Sequence, residues 1–169
     1  MAIVVFVFMY NIFSMYMLSF MLKYLPGDKY VNMFLLGVAD FIPSLLSGLV
    51  MAIFPTKKAM IFTHIFIWIS VVLHLLFGDI DYLGMPLIFF IRFAITLESW
   101  LNFYAVYELF PPHFASIVYG AWNIMAGLSS ILSPMAVEVF PNPLLIVLIW
   151  GIFWVIACTS IIPNTKNLV

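Results

Sequence analysis

Charge is what this sequence has least of. Only 8% of its 169 residues are Asp, Glu, Lys or Arg, six basic against seven acidic, for a formal net charge of −1. A soluble domain carries about 25% charged residues, so this chain cannot cover its own surface for water. A water-soluble globule and a disordered tail protein are excluded. So is a nucleic-acid binder, because the chain offers no field for phosphates. Cysteine is nearly absent as well. The single Cys158 rules out an intramolecular disulfide and any cysteine-based metal cluster. No Cys/His ligand spacing, glycine-rich phosphate loop or nucleophile–base pair is visible. No metal, cofactor or enzymatic activity is therefore expected.

What is present is hydrophobic: 66% of the residues, including 18 Phe, with a mean hydropathy of +1.22. The natural solvent of such a chain is a lipid bilayer. A spanning helix needs roughly 20 apolar residues, so six take about 120 and leave about 49 of the 169 for loops and tails. Proline, glycine and charge clusters divide the chain accordingly. Helices are expected at about 2–22, 30–54, 59–77, 83–110, 113–139 and 144–162, forming one membrane domain over 1–169. The separators are Leu25-Pro26-Gly27-Asp28-Lys29, Pro55-Thr56-Lys57-Lys58, Gly78-Asp79-Ile80-Asp81, Pro111-Pro112 and Pro141-Asn142-Pro143. The first run lacks a basic lead and exceeds a signal-peptide core, so it reads as a retained helix. Strands are not expected, because the runs are continuous rather than alternating and an open sheet cannot sit in lipid.

Six spans place both ends of the chain on one side of the membrane. Lys57, Lys58 and Lys166 fall on that side, and Lys23 and Lys29 on the other, with Asp28, Asp79, Asp81 and Glu138. The excess of one favours both ends inside. In lipid, close approach at small residues drives helix packing more than burial of Leu on Leu. Ser44, Gly48 and Ala52 share a face of the second helix. Ser116 with Gly120, and Ala126, Ser130 and Pro134, recur at the same spacing in the fifth. These faces are expected to be close-packed, or else to line a solute path. Pro43, Pro86 and Pro134 lie inside or near the starts of helices, where proline bends the chain.

Three ionisable residues fall at membrane depth: Asp40 in the second helix, and Arg92 and Glu98 in the fourth. Such groups are costly in lipid and face the bundle interior toward a partner. Arg92 and Glu98 are six residues apart, about 240° around a helix, and do not face each other. Arg92 therefore looks to another helix, where Asp40 is the candidate. The pair reads either as a proton or solute relay or as a fixed buried contact. His64 and His74 do not share a face and are taken as ordinary helix residues. Asn11, Asn102 and Asn123 read as hydrogen-bonding groups between helices.

The segment Arg92-Phe-Ala-Ile-Thr96, followed by Tyr107-Glu108-Leu-Phe-Pro111, resembles the tenth helix of the organic cation/anion transporter branch of the major facilitator superfamily. Tyr119-Gly120 and Ile131-Leu132-Ser133-Pro134 are similar to the family's next helix. Ile162-Pro163-Asn164-Thr165-Lys166 is similar to its closing Leu-Pro-Glu-Thr-Lys. Leu25-Pro26-Gly27 and Asp40-Phe41-Ile42-Pro43 resemble its seventh and eighth helices. The resemblance covers nearly the whole chain, and it implies an all-α six-helix bundle like the C-terminal half of a twelve-helix transporter. It implies a cytoplasmic gating motif at Glu108 and Pro111, with Lys57 and Lys58 as the remaining positive charge. The sequence departs from the family where its charged signature stands, here Ala52-Ile53-Phe54-Pro55-Thr56, and at Ala115, where an arginine is the rule.

Alternating access rocks one six-helix half against another, with solute bound between them. One half alone has no opposing wall. The resemblance and its departures thus imply a transporter-derived accessory subunit of a larger membrane complex. Respiratory-type assemblies are the expected hosts, in the mitochondrial inner membrane, with the plasma membrane or another organelle as the alternatives. The alternative is a half-transporter for an organic ion, working as a dimer or with a separate N-terminal half, its cavity lined by Arg92, Asn102 and Asn11. The expected partners are lipid and other membrane chains.

Overall fold

The computed structural model describes residues 2–78, 80 and 82–161. Six α-helices follow one another: α1 (Ala2–Met21), α2 (Lys29–Ile53), α3 (Thr56–Phe77), α4 (Gly84–Leu109), α5 (Pro112–Val139) and α6 (Leu144–Ile161). There is no strand among the described residues. The first five helices are long and apolar enough to cross a membrane, and α6 is a shorter apolar helix. The helix limits differ from the expected ones by a few residues at most. The largest shift is at α3, which begins at Thr56, so Lys57 and Lys58 sit in its first turn rather than in a loop. Asp79, Asp81, Lys166 and the motif from Ile162 to Lys166 lie outside the described residues.

Local chemistry sets the ends. Phe54, Phe110 and Phe140 close α2, α4 and α5 in extended conformation, with ψ of 145°, 138° and 129°. Each precedes a proline, whose ring disfavours helical backbone at the residue before it. Pro112 opens α5, where its missing N–H costs nothing. Between α1 and α2 the chain turns through Gly27 at φ +99°, a conformation only glycine adopts readily. Asp28 then caps α2, accepting from the backbone N of Tyr30 at 2.7 Å and of Val31 at 3.4 Å.

Helix α4 is the centre of the bundle. It packs against α3, α2 and α1, while α1 also packs against α5 and α6, and α3 against α6. Three fifths of the α4 span is buried (61%), against 22% for α2 and 17% for α5. Helices α2 and α5 therefore form open flanks, each docked mainly on one neighbour.

The small-residue faces do not seal the bundle, contrary to the expectation from their spacing. Gly48, Ala52, Ser116 and Gly120 are exposed, and Ser44, Ala126, Ser130 and Pro134 are half-buried. Apart from its chain neighbours and the surrounding backbone of α5 itself, no described heavy atom lies within 4 Å of the position a Cβ would take at Gly120. The buried side of α2 is Asn32, Leu36, Ala39, Pro43 and Ser47. That of α5 runs through Ala115, Val118, Ser129, Ser133, Ala136 and Val137. Those residues also recur at helical spacing, and they carry the packing because they meet α4 and α1.

Candidate functional site: two buried polar centres and an open groove

The first centre joins three helices. Arg92 on α4 is 6% exposed. Its Nε donates to Asp40 Oδ1 at 2.7 Å and its Nη2 to Asp40 Oδ2 at 2.8 Å, a bidentate fork across α4 and α2. Its Nη1 donates to Ser19 Oγ at 3.0 Å and to the Met15 carbonyl, both on α1. Thr96, one turn beyond Arg92, donates to Asp40 Oδ1 at 2.7 Å. The structure thus brings Arg92 and Asp40 together, joins to them the Thr96 that ends the same sequence segment, and adds Ser19 and Met15, which the sequence reading did not name. The guanidinium is buried, whereas the Asp40 side chain stays 36% exposed.

Glu98 belongs to a second centre. Its carboxylate oxygens lie 3.1 and 3.3 Å from His64 Nδ1, and both side chains are fully buried. The Trp154 ring from α6 stacks on the imidazole at 4.1 Å and 6°. Tyr10 from α1 and Trp68 from α3 complete an aromatic cage. Reading His64 as an ordinary helix residue missed this contact. The signal was its depth: His64 lies thirteen residues before the end of α3, and Glu98 fourteen after the start of α4. In an antiparallel helix pair with a short connection, those positions meet at one level. Gly151 on α6 makes room for the cage, since a Cβ there would stand 2.5 Å from Trp68 Nε1 and 2.8 Å from His64 Nε2.

Glu108 lies at the helix ends on the opposite side from Gly27. It accepts from Thr56 Oγ1 at 2.6 Å, so the first residue of α3 is tied to the last turn of α4. Lys57 donates to the Thr159 carbonyl at 2.9 Å, tying α3 to α6, and Lys58 is exposed. Pro111 precedes α5 as its N-cap. Ala115 sits buried in a small cluster with Phe8, Val106 and Val118. An arginine there would need the cluster to open.

Asn11 and Asn102 are 1% and 2% exposed. They lie inside the bundle, and neither is among the residues lining the groove between α2 and α5. Among the described residues, neither the side-chain oxygen nor the nitrogen of Asn11 has a hydrogen-bond partner, and Asn102 Nδ2 has none.

The open feature is a groove of about 510 Å³ between α2 and α5, floored by α1 and α4. Asp40, Ser44, Thr96 and Ser99 give it a polar side. Phe41, Trp100, Phe103 and Trp122 give it an aromatic one. Chemically, the groove offers hydrogen-bond acceptors beside flat apolar rings. Its one exposed charge, Asp40, is matched by Arg92, so the site is close to neutral.

Compared with known proteins, the chain matches no family model, and no curated protein matches it.

Proposed function

We propose that this chain is a transporter-derived membrane subunit, non-catalytic, that works only in an assembly where another membrane protein covers its α2/α5 face. The observation that carries this reading is the groove face itself. In a bilayer, a carboxylate 36% exposed near the middle of a spanning helix asks for a protein surface, not acyl chains. The resemblance to the C-terminal half of a major facilitator transporter supports the same reading, since the corresponding face of that fold meets the other half. The replacement of charged gating residues by Thr56 and Ala115 favours a static role. Glu108 is held by a neutral hydroxyl rather than by arginines, so no charge pair is there to be broken and remade between two states. Respiratory-type assemblies of the mitochondrial inner membrane are the hosts we favour.

The second reading is a half-transporter that moves an organic ion or similar small solute with a second six-helix half. The groove supports it, because its size and aromatic lining suit a small organic molecule once an opposing wall is added.

Purification from native membranes in mild detergent, followed by identification of what remains bound, tests the proposal. A stable complex with other membrane chains is the expected outcome. Recovery of a monodisperse single chain with the α2/α5 face accessible to lipid-soluble probes in the native membrane would overturn it.

A further inference from the structure

The centre around His64 and Glu98 lies away from the groove, and it buries more polar atoms than its side chains satisfy. Both Glu98 oxygens lie on one ring nitrogen, His64 Nδ1. The other ring nitrogen, His64 Nε2, makes no hydrogen bond among the described residues. Neither does the indole nitrogen Trp68 Nε1, one turn further along α3, and both atoms are buried. In the middle of a membrane-spanning helix, bulk water is not at hand to satisfy either of them. Two such atoms side by side ask for a common explanation.

The two nitrogens converge on Gly151 of α6. The position a Cβ would take there is 2.5 Å from Trp68 Nε1 and 2.8 Å from His64 Nε2. They therefore stand close enough for one acceptor, about 2.9 Å from each, to bridge them. Both are donors. The indole nitrogen always is. For His64 the charge balance decides. A lone charge at this depth is costly, and the nearby cation Arg92 is already matched by Asp40, so the pair His64 and Glu98 is neutral as a whole. It has two neutral forms. In imidazolium with carboxylate, both ring nitrogens carry hydrogen. In imidazole with carboxylic acid, the acid donates to Nδ1 and the ring hydrogen sits on Nε2. Either form leaves Nε2–H as a donor. An acceptor is close by on α6. A helical side chain covers the turn before its own Cα, so Gly151 leaves the Val147 carbonyl uncovered, with a lone pair beyond its helix bond. Neither nitrogen bonds that carbonyl directly.

We infer that the notch beside Gly151 is a binding site for one buried water molecule. Its oxygen accepts from Trp68 Nε1 and from His64 Nε2, and one of its hydrogens goes to the Val147 carbonyl. Three hydrogen bonds are the usual complement of an internal water. Glu98, His64, the water and the α6 backbone then form one polar chain that joins α4, α3 and α6. The water serves both forms of the pair, so a proton can pass between Glu98 and His64 Nδ1 without stranding a donor on the far side of the ring. This site needs no solute in the groove and no protein over the α2/α5 face, so it stands apart from the proposed function.

NMR of the full chain in lipid nanodiscs, with the indole nitrogens of its five Trp isotopically labelled, tests it. Trp68→Phe identifies the Trp68 signal by its loss. The Trp68 indole N–H is expected to show a direct cross-peak to water. Gly151→Ala, whose methyl group takes the water's place, is expected to abolish that cross-peak and to move the signal upfield. Gly127→Ala, where nothing crowds the added methyl group, is expected to change neither. If Gly151→Ala does not fold, the parent spectrum decides alone, and the lack of a water cross-peak at Trp68 refutes the site. A cross-peak that survives Gly151→Ala would put the water elsewhere. A Trp68 signal that titrates with added chloride would put an anion in the notch instead. Either result would overturn the inference.

Discussion

Arg92 holds three helices with one side chain, which makes its removal informative. In Arg92→Leu, Asp40 keeps only Thr96 inside the bundle, and α1 loses its bonds from Ser19 and Met15. Breaking a buried pair by deleting one partner costs about 3–5 kcal/mol. Because Asp40 is a third exposed, the low end applies. The double variant Arg92→Leu/Asp40→Leu is expected to recover most of that loss, as apolar replacements of whole buried pairs do. Thermal unfolding in detergent measures both, and a double variant as unstable as the single would contradict the pairing. The same logic applies to His64. His64→Ala strands the fully buried Glu98 carboxylate and removes the ring stacked on Trp154. Adding Glu98→Gln should restore part of the stability, since a neutral amide is cheaper to bury than a lone carboxylate. A double variant no more stable than His64→Ala would show that Glu98 was never charged or never lacked a partner.

At the scale of the elements, α6 depends on one glycine. Gly151 lies over Trp68 and His64 with no room for a Cβ. Gly151→Ala is expected to push α6 outward at a cost of about 1–3 kcal/mol. Cys158 reports this directly, being two turns further along α6 and 1% exposed. A membrane-permeant maleimide should label it slowly in the parent chain and several times faster in Gly151→Ala. Equal labelling rates would mean that α6 does not rest on that contact. The order of the helices makes a second prediction. Cysteines placed at Asp28 and Asn142 should react from one side of the membrane, and cysteines at Lys58 and His113 from the other. Reaction of Asp28→Cys and Lys58→Cys from the same side would break the alternating order of spans.

The whole molecule has a sealed side and an open side. Helices α3, α4 and α6 close around His64 and Glu98, while α2 and α5 leave a groove of about 510 Å³ between them. Among the described residues, a single copy therefore has no wall opposite Asp40, and alternating access needs one. The chain reconstituted as a verified monomer in liposomes is expected to take up no organic ion. Saturable uptake by such monomers would defeat this, and uptake only at dimer-forming densities would favour the half-transporter reading.

Composition by itself pointed to lipid as the solvent, because 8% charge cannot clothe a soluble surface, and five of the helices are long and apolar enough to cross a membrane; Phe-Pro and Pro-Pro junctions placed the helix ends within a few residues. Those are local effects: hydropathy acts on each segment alone, and proline acts on the residue before it. Burial cost also pointed Arg92 toward Asp40, since a buried cation needs an anion wherever one is in reach. The tertiary arrangement decided the rest. Spacing of small residues marked faces on α2 and α5 that could pack closely, but each helix carries two such faces, and only the neighbours α4 and α1 determined which one is buried. His64 and Glu98 are 34 residues apart and neither neighbours the other in any local pattern. They meet because a short connection folds α3 back along α4, and that relation between depths exists only once two helices stand side by side.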